Sequence, residues 1–503
     1  MIRMFRQFVP KRKALLVVSE TGLLFLWLYG SSWWLFRKAW LRGDKAVRHL
    51  LPGIPDFPPP WSSLFWRLAV SAFAVTLLCQ VALSYNDLYD WKLSANRREL
   101  PRRLINAAGA SLLTLAVLVL LFPSLFHFPG VIVTKVVHLE GGATRAFSQG
   151  TWKLIGLVLV GFLFLLAWRV ALHFFFYKWE LGERILVLGT GKQARDLVEE
   201  IEKRGDTGYQ VVGMVGPAPP GESRSNPVPY LGSPKNLPAL TRENRVSRVV
   251  VALEDRRGAL PVKELLDCRL SGVIVEELES IYERVTGKIS VTSLRPSYLI
   301  FGEGFRKTRM VLALKRLLDV VFSLTTLVVS SPILLAAMVA IKLDSPGGIF
   351  FKQPRVGQDG RTFWIYKLRS MKVDAEKNSG PVWAKKADDR ITRVGRFLRA
   401  TRIDEIPQMW NVLKGEMSFV GPRPERPFFV QELSLVIPYY AQRLTVKPGI
   451  TGWAQINYPY GSSVEDAREK LQYDLYYIKN IGILFDITII LRTIRVVLSR
   501  KGV

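Results

Sequence analysis

Apolar residues gather in long unbroken runs through the first third of the chain. They then shorten to strand-length blocks, and after residue 300 they scatter among dense charge. Runs at Ala14–Phe36, Leu64–Leu83, Leu104–Phe122 and Leu154–Phe176 are each long enough to cross a bilayer. They predict an N-terminal membrane domain over residues 1–180 with about four transmembrane helices. Five cations (Arg3, Arg6, Lys11, Arg12, Lys13) precede the first run, no small-residue cleavage site follows it, and further spans come after, so it reads as an anchor with its N-terminus inside. The cation bias does not orient the spans cleanly. The first loop carries Arg37, Lys38, Arg42, Lys45 and Arg48, as many as the N-terminal arm, whereas the second, with Lys92, Arg97, Arg98, Arg102 and Arg103, fits an inside loop. Glu20 stands out as an acid inside the first run, and Asp87-Leu88-Tyr89-Asp90 reads chiefly as an interfacial tyrosine with solvated acids.

From residue 181 to about 300 the pattern becomes alternating strand and helix. Arg184–Leu188, Tyr209–Val215, Arg248–Leu253 and Val273–Val275 read as strands and Ala194–Lys203 as a helix, which predicts a Rossmann-like α/β domain. Gly189, Gly191 and Ala194 have the spacing of a dinucleotide fingerprint. The acid expected at the end of the second strand is missing, since that strand runs into Gly216-Pro217, so the domain is expected to be a degenerate scaffold or regulator more than a working cofactor site. Pro217–Pro234 reads as a loop and Ser293–Lys307 as a linker.

Residues 308–503 predict a third, mainly helical domain. Its opening run, Leu317–Leu343, is apolar but interrupted at Ser330-Ser331-Pro332, and it starts among Lys315, Arg316 and Asp319. Proline removes a backbone hydrogen bond and bends a helix, while a serine hydroxyl can satisfy the freed carbonyl. The physics alone leaves a straight span and a bent segment that enters and leaves on one face equally open. At the other end, Ile481–Leu498 has apolar positions at helical spacing flanked by arginines, which suits a helix in the membrane interface or a packed terminal helix.

Between these ends lies Arg402-Ile403-Asp404-Glu405-Ile406-Pro407. Proline is most comfortable in a first helical turn, which puts a helix start near Ile403 or Asp404 and two carboxylates at its N-terminus. Such a pair is ordinarily a cap, but it also suits a nucleophile with a neighbouring base or metal ligand where phosphate must bind.

Composition narrows the chemistry. The 503 residues are 49% hydrophobic, with 14 Trp and 27 Phe, and carry 70 Lys+Arg against 42 Asp+Glu for a formal charge of +28. The cations flank apolar runs and no nucleic-acid module appears, so the charge points to anionic lipids, a lipid phosphate or a nucleotide diphosphate rather than to nucleic acid. Two cysteines, Cys79 and Cys268, exclude a disulfide framework, and all four histidines lie before residue 180. Catalysis in the last domain must therefore use carboxylates, Lys, Arg or a hard metal such as magnesium.

The order of motifs after residue 314 adds a resemblance. Lys315-Arg316-Leu317-Leu318-Asp319, Gln353-Pro354-Arg355-Val356-Gly357, Tyr366-Lys367-Leu368-Arg369-Ser370, Asp389-Arg390-Ile391-Thr392, the Asp404-Glu405 pair, Gly421-Pro422-Arg423-Pro424, Lys447-Pro448-Gly449-Ile450-Thr451-Gly452 and Tyr473-Asp474 follow one another as in bacterial polyprenyl-phosphate hexose-1-phosphate transferases. The chain resembles the large monotopic phosphoglycosyl transferases, and Pro424-Glu425-Arg426-Pro427-Phe428-Phe429 with the stretch Tyr458–Lys470 is similar to their exopolysaccharide- and exosortase-associated branch. Where that family often has Ser-Leu before the acidic pair, Arg402-Ile403 stands here.

The resemblance implies a monotopic catalytic domain whose segment 313–343 is a re-entrant helix broken at Ser331 and Pro332, at the cytoplasmic face of a bacterial inner membrane. It implies transfer of hexose-1-phosphate from a UDP-sugar to undecaprenyl (polyprenyl) phosphate with release of UMP, as the priming step of exopolysaccharide synthesis. Asp404 is expected as nucleophile, with direct attack by the lipid phosphate as the alternative route. Glu405 assists, Asp404 and Glu405 together form the expected Mg2+ site, and Lys367, Arg369, Arg399, Arg423 and Pro424 are expected to hold phosphate groups. Expected partners are the UDP-sugar, polyprenyl phosphate and anionic lipids, with a homodimer as a further option. Rival readings are a membrane-tethered nucleotide-sugar oxidoreductase or epimerase, which would need a working Gly189/Gly191/Ala194 site, and a non-catalytic assembly scaffold, in which Asp404 would be dispensable.

Overall fold

The computed structural model describes residues 2–4, 7–9, 11–42, 63–86, 88–89, 99–121, 128, 133–138, 144–149, 151–178, 183–204, 208–217, 228–255, 259–292, 294, 296–302, 304–305, 307–372, 390–458, 461 and 463–498. Lys45, Arg48, Asp87, Asp90, Lys92, Arg97, Arg98 and Asp389, which carry parts of the reading above, lie outside them. The chain divides into two units, one built mainly on residues 9–183 and the other on residues 184–202 and 211–503.

The first unit contains four long apolar helices, α1 (Lys11–Leu41), α2 (Ser63–Tyr85), α3 (Glu99–Leu121) and α4 (Thr151–Lys178), at the positions the apolar runs predict. A hairpin of β1 (Val133–His138) and β2 (Thr144–Gln149) lies between α3 and α4. Each helix is apolar nearly all round, as a lipid-bathed helix must be. Glu20 is no blemish: it is fully buried, with Arg169 Nε 2.6 Å from one carboxylate oxygen and Arg169 Nη2 2.9 Å from the other. Tyr89 donates to the same carboxylate at 3.0 Å, and Arg169 also reaches the carbonyl of Leu88. Tyr89 is therefore a buried member of this cluster, not the interfacial residue that its neighbours predict. Charges in hydrocarbon survive when paired, and this pair fixes the register of α1 against α4.

The α/β domain forms a five-stranded sheet. Its strands are β3 (Glu183–Leu188), β4 (Tyr209–Val215), β5 (Tyr230–Gly232), β6 (Arg248–Val251) and β7 (Ile274–Glu277), in the order β5-β4-β3-β6-β7. Pairing of β3 with β6, β4 with β5 and β6 with β7 is parallel, and the order reverses between β3 and β6, as in a doubly wound nucleotide-binding fold. Strand β5 sits inside the stretch that proline and glycine content marks as loop; three residues are too short for periodicity to register. Helix α5 (Lys192–Arg204) follows the glycine loop.

The remainder is organised by α6 (Arg309–Asp344), 36 residues long. The expected division into two helices at Ser331-Pro332 is not seen; Pro332 lies inside one continuous helix. The hydroxyl of Ser331 donates at 2.8 Å to the carbonyl of Val328, which is the acceptor that Pro332, lacking an N–H, leaves unpaired. Both ends of α6 are tied to the same polar domain. Near its start, Arg316 donates to the carbonyls of Val412 and Leu413 at 2.6 and 2.7 Å, Lys315 pairs with Asp486 at 2.6 Å, and Asp319 accepts from Ser418 Oγ and Phe419 N. Near its end, Leu334, Ala337 and Ile341 pack on Leu368 and Leu398, and Asp344 accepts from Val394 N. Between these anchors Leu324, Val328, Val329, Ile333, Leu335 and Val339 are exposed and apolar. Among the described residues, five helices are long and apolar enough to cross a membrane: α1 to α4 and α6.

Removing one partner of a buried ion pair costs about 3–5 kcal/mol, because the other charge stays buried without compensation. Arg169→Leu is therefore expected to lower the thermal midpoint of the N-terminal bundle in detergent, and Glu20→Leu added to it is expected to restore most of the loss, both read by thermal unfolding.

Candidate active site

The acidic pair is presented by a tight turn. Helix α7 (Arg393–Thr401) begins at Thr392, whose hydroxyl accepts from Gly395 N, and ends at Arg402, which takes the left-handed conformation at φ 60°. That reversal starts a 3-10 helix, Ile403–Gln408, with Asp404 and Glu405 in its first turn and Pro407 inside it, as the proline predicts. It leads directly into α8 (Met409–Lys414). Both carboxylates are almost fully buried, at 6% and 9% exposure. Against the turn lies the antiparallel hairpin of β8 (Phe350–Val356) and β9 (Thr362–Leu368), which carries Lys367 on the inward-facing side with Ile365 and Phe363. Asn411, fully buried on α8, locks the two together: its amide donates to Trp364 O at 2.7 Å and its oxygen accepts from Tyr366 N at 3.2 Å.

Glu405 is the centre of a cation cluster. Its Oε1 accepts from Lys367 Nζ at 2.7 Å and from Arg423 Nη2 at 3.0 Å, and Arg402 lies 3.9 Å from Oε2. Burial by itself would raise its pKa, but Lys367, then Arg423 and Arg402, overcome burial and hold the carboxyl well below the usual carboxylate range. Asp404 is the opposite case. Burial, followed by the charge of Glu405, pushes it up to about 6, with Lys367, Arg399 and Arg402 pulling the other way. Its Oδ1 is buried without a hydrogen-bond partner. Two adjacent carboxylates thus differ in kind: Glu405 is a committed counter-ion, and Asp404 has a free oxygen.

The structure brings Lys367, Arg423 and Arg399 to the pair. Arg399 donates from Nε to Ser370 Oγ at 2.8 Å, and its charge is felt at Asp404. Arg369 goes elsewhere. Its guanidinium donates to the carbonyls of Ser345 and Pro346 at 2.7 and 2.8 Å, closing the C-terminal end of α6, and it is 8% exposed; it lies one residue past the end of β9, where the strand no longer sets the direction of its side chain. Pro424 offers no N–H, and its carbonyl accepts from Arg355 at 3.0 Å, so it shapes the backbone next to Arg423 without presenting a donor. Arg402, adjacent to the pair, is a fourth cation whose role the sequence reading missed.

Among the described residues no cluster of three His, Cys, Asp or Glu side chains exists to hold a metal. The orphaned, hard oxygen of Asp404 nevertheless fits a cation that takes one or two carboxylates and completes its shell with phosphate oxygens and water. Glu405 fits less well, since its oxygens are already committed to Lys367, Arg423 and Arg402.

In the α/β domain, close packing requires glycine at Gly189, and Gly191 sits against an acidic side chain. Gly189 has φ +135°, and a Cβ there would lie 2.4 Å from Ala252 O; a Cβ on Gly191 would lie 2.6 Å from the Glu254 carboxylate. Ala194 is fully buried in α5. The loop is thus pressed against the segment after β6, at the point where strand order reverses, and the nearest side chain to Gly191 is an anion, a poor neighbour for a pyrophosphate.

Residues 310–500 match the bacterial sugar transferase family and residues 84–266 a CoA-binding domain. An exopolysaccharide production protein of Rhizobium leguminosarum is 43% identical over 202 residues, covering 38% of this chain and all of that protein. A UDP-glucose:undecaprenyl-phosphate glucose-1-phosphate transferase of Caulobacter vibrioides is 45% identical over 184 residues, 36% of this chain and 68% of the relative. A UDP-N-acetylgalactosamine-undecaprenyl-phosphate N-acetylgalactosaminephosphotransferase of Aeromonas hydrophila is 40% identical over 238 residues, 47% of this chain, and the match spans about half of that relative's length, 55%. Since the chain covers the whole of one relative at 43% identity and 68% of another at 45%, it belongs to the bacterial sugar transferase family.

Because the Glu405 charge is a principal cause of the raised Asp404 value, Glu405→Gln is expected to lower the Asp404 pKa. The pH midpoint of carbodiimide labelling at Asp404, read by peptide mass spectrometry, should fall below about 6.

Proposed function

We propose that the protein transfers hexose-1-phosphate from a UDP-sugar to undecaprenyl phosphate, releasing UMP and priming exopolysaccharide synthesis at the cytoplasmic face of a bacterial inner membrane. The observation that carries this reading is the asymmetry of the acidic pair, a paired Glu405 beside an Asp404 with an unpartnered oxygen inside a ring of cations. In the first step an Asp404 carboxylate oxygen attacks the sugar-bearing phosphorus, the bond from that phosphorus to the bridging oxygen breaks, and UMP leaves with the electron pair. In the second step an oxygen of the lipid phosphate attacks the same phosphorus and the Asp404 carboxylate departs. No proton has to move in either step, consistent with a site that lacks histidine among its described residues.

Lys367, Arg399, Arg402 and Arg423 outnumber the two carboxylates, so the site has positive charge to offer an incoming diphosphate. Glu405 holds three of these cations in place before substrate arrives, which lowers the cost of ordering them. A magnesium ion held by Asp404 with Glu405 beside it would supply charge neutralisation of the diphosphate and the leaving group.

The membrane geometry supports the same reading. An unbroken straight helix of 36 residues would be about 54 Å long, yet both ends of α6 are bonded to one polar domain and only its middle is exposed and apolar. A re-entrant insertion, entering and leaving at one face, accounts for that pattern and would bring Asp404 to headgroup level.

The two-step route is tested by intact mass measurement after UDP-hexose and magnesium without acceptor. A gain of one hexose phosphate, absent in Asp404→Asn, is expected, and turnover in that variant should fall by about 10³-fold or more. Turnover with lipid but no adduct from any UDP-sugar would replace the covalent route with direct attack. Since Asp404 must be ionised to attack and its pKa is about 6, kcat/KM is expected to hold above that value and drop about tenfold per pH unit below it.

A further inference from the structure

Arg423 lies between two prolines, and a loop so built cannot fix itself through its own amides, because Pro422 and Pro424 have none. It is held by its carbonyls. Four successive ones are each engaged: Pro422 O accepts from Gly449 N at 2.8 Å, Arg423 O from Arg443 Nη2 at 2.9 Å, Pro424 O from Arg355 Nη1 at 3.0 Å, and Glu425 O from Val356 N at 2.9 Å. Two of these donors are backbone groups of neighbouring strands and two are arginine side chains.

Neither arginine is free to wander. Arg443 is 8% exposed; its Nη1 donates to Tyr440 Oη at 2.6 Å and its Nη2 lies 3.0 Å from Asp474 Oδ2, a carboxylate itself only 2% exposed on the helix Val464–Asn480. Arg355 donates its other nitrogen to Gln353 Oε1 at 2.7 Å and lies 3.6 Å from Glu425 Oε2. A buried arginine whose charge is met by an aspartate still has donors left over, and here the leftover donor goes to the carbonyl of the residue whose own side chain reaches Glu405.

We infer that Arg443, anchored by Asp474, and Arg355 are positioning residues that aim Arg423 at the acidic pair and the substrate phosphates. The inference rests on the proposed transfer reaction for its kinetic consequence, but not for the positioning itself. Burying Arg443 and Asp474 to hold one carbonyl is costly unless the orientation of that carbonyl matters, and the loop that it steadies is the one that presents Arg423. Arg443→Lys keeps a charge for Asp474 and loses the fork that spans Tyr440, Asp474 and Arg423 O together. Arg355→Lys does the same at the next carbonyl.

The test uses the full chain in lipid nanodiscs. Hydrogen exchange in Arg443→Lys is expected to speed up at least tenfold at the amides of Gly449 and Val356, which donate to the loop carbonyls of Pro422 and Glu425, with the helix Val464–Asn480 unchanged. In kinetics, KM for the UDP-sugar should rise about tenfold while KM for the lipid acceptor stays constant. In an Arg423→Ala background the same substitution should change neither. A purely structural role would instead lower the active fraction by the same factor in both backgrounds. Unchanged exchange at the loop, or a full tenfold effect persisting without Arg423, would overturn the inference. If no UDP-sugar turns over at all, the transfer reading fails on its own, and the exchange result still decides whether Arg443 positions the loop.

Discussion

The carboxylate of Glu405 is the point to which the polar half of this protein converges. It draws Lys367 from the hairpin, Arg402 from the end of one helix and Arg423 from the proline-bracketed loop, three elements distant in sequence. Like charges do not gather in a buried pocket without an anion among them. Glu405 is that anion, and its pairing leaves Asp404 as the carboxylate with an unpartnered oxygen. One buried glutamate against several cations leaves excess positive charge at the site and still holds those cations together.

The membrane imposes the second constraint. Helix α6 exposes apolar residues along its middle and commits its charged residues at both ends to the domain that surrounds it, so its placement is coupled to the fold of the site. Arg369 belongs to this coupling. In sequence it looks like one more phosphate ligand, but it ties the end of α6 to strand β9, two residues from Lys367. The end of α6 also touches the turn itself, since Ile403 and Ile406, on either side of the acidic pair, pack against the cluster of Leu334, Ala337, Ile341, Leu368 and Leu398.

The middle domain has the topology of a nucleotide-binding fold and a glycine loop devoted to packing. Its link to the C-terminal domain is more specific than its crevice. Glu283, 2% exposed at the end of the α/β domain, accepts from Lys479 Nζ and Asn480 Nδ2, and Trp453 donates to Gly287 O at 2.9 Å. These buried polar contacts reach the far end of the helix that carries Asp474, so the α/β domain braces the same helix that steadies Arg443.

The sequence by itself determined the four N-terminal helices, four of the five strands of the α/β sheet, the helical turn at Ile403 and the identity of the acidic pair. Each is written in local terms: apolar run length, period-two blocks, and a proline that cannot donate. It also specified that Ser331 would repair the backbone at Pro332. What only the tertiary structure decided was pairing across distance. Glu20 finds Arg169 some 149 positions away, Arg369 turns to the helix end and not to the site, the short strand Tyr230–Gly232 earns its place from the sheet edge it joins, and Arg443 reaches the carbonyl beside the catalytic cluster. Charge has no periodicity along a chain. Which cation meets which carboxylate is set by burial, where an unpaired partner is too costly to leave alone, and burial exists only once the chain has folded.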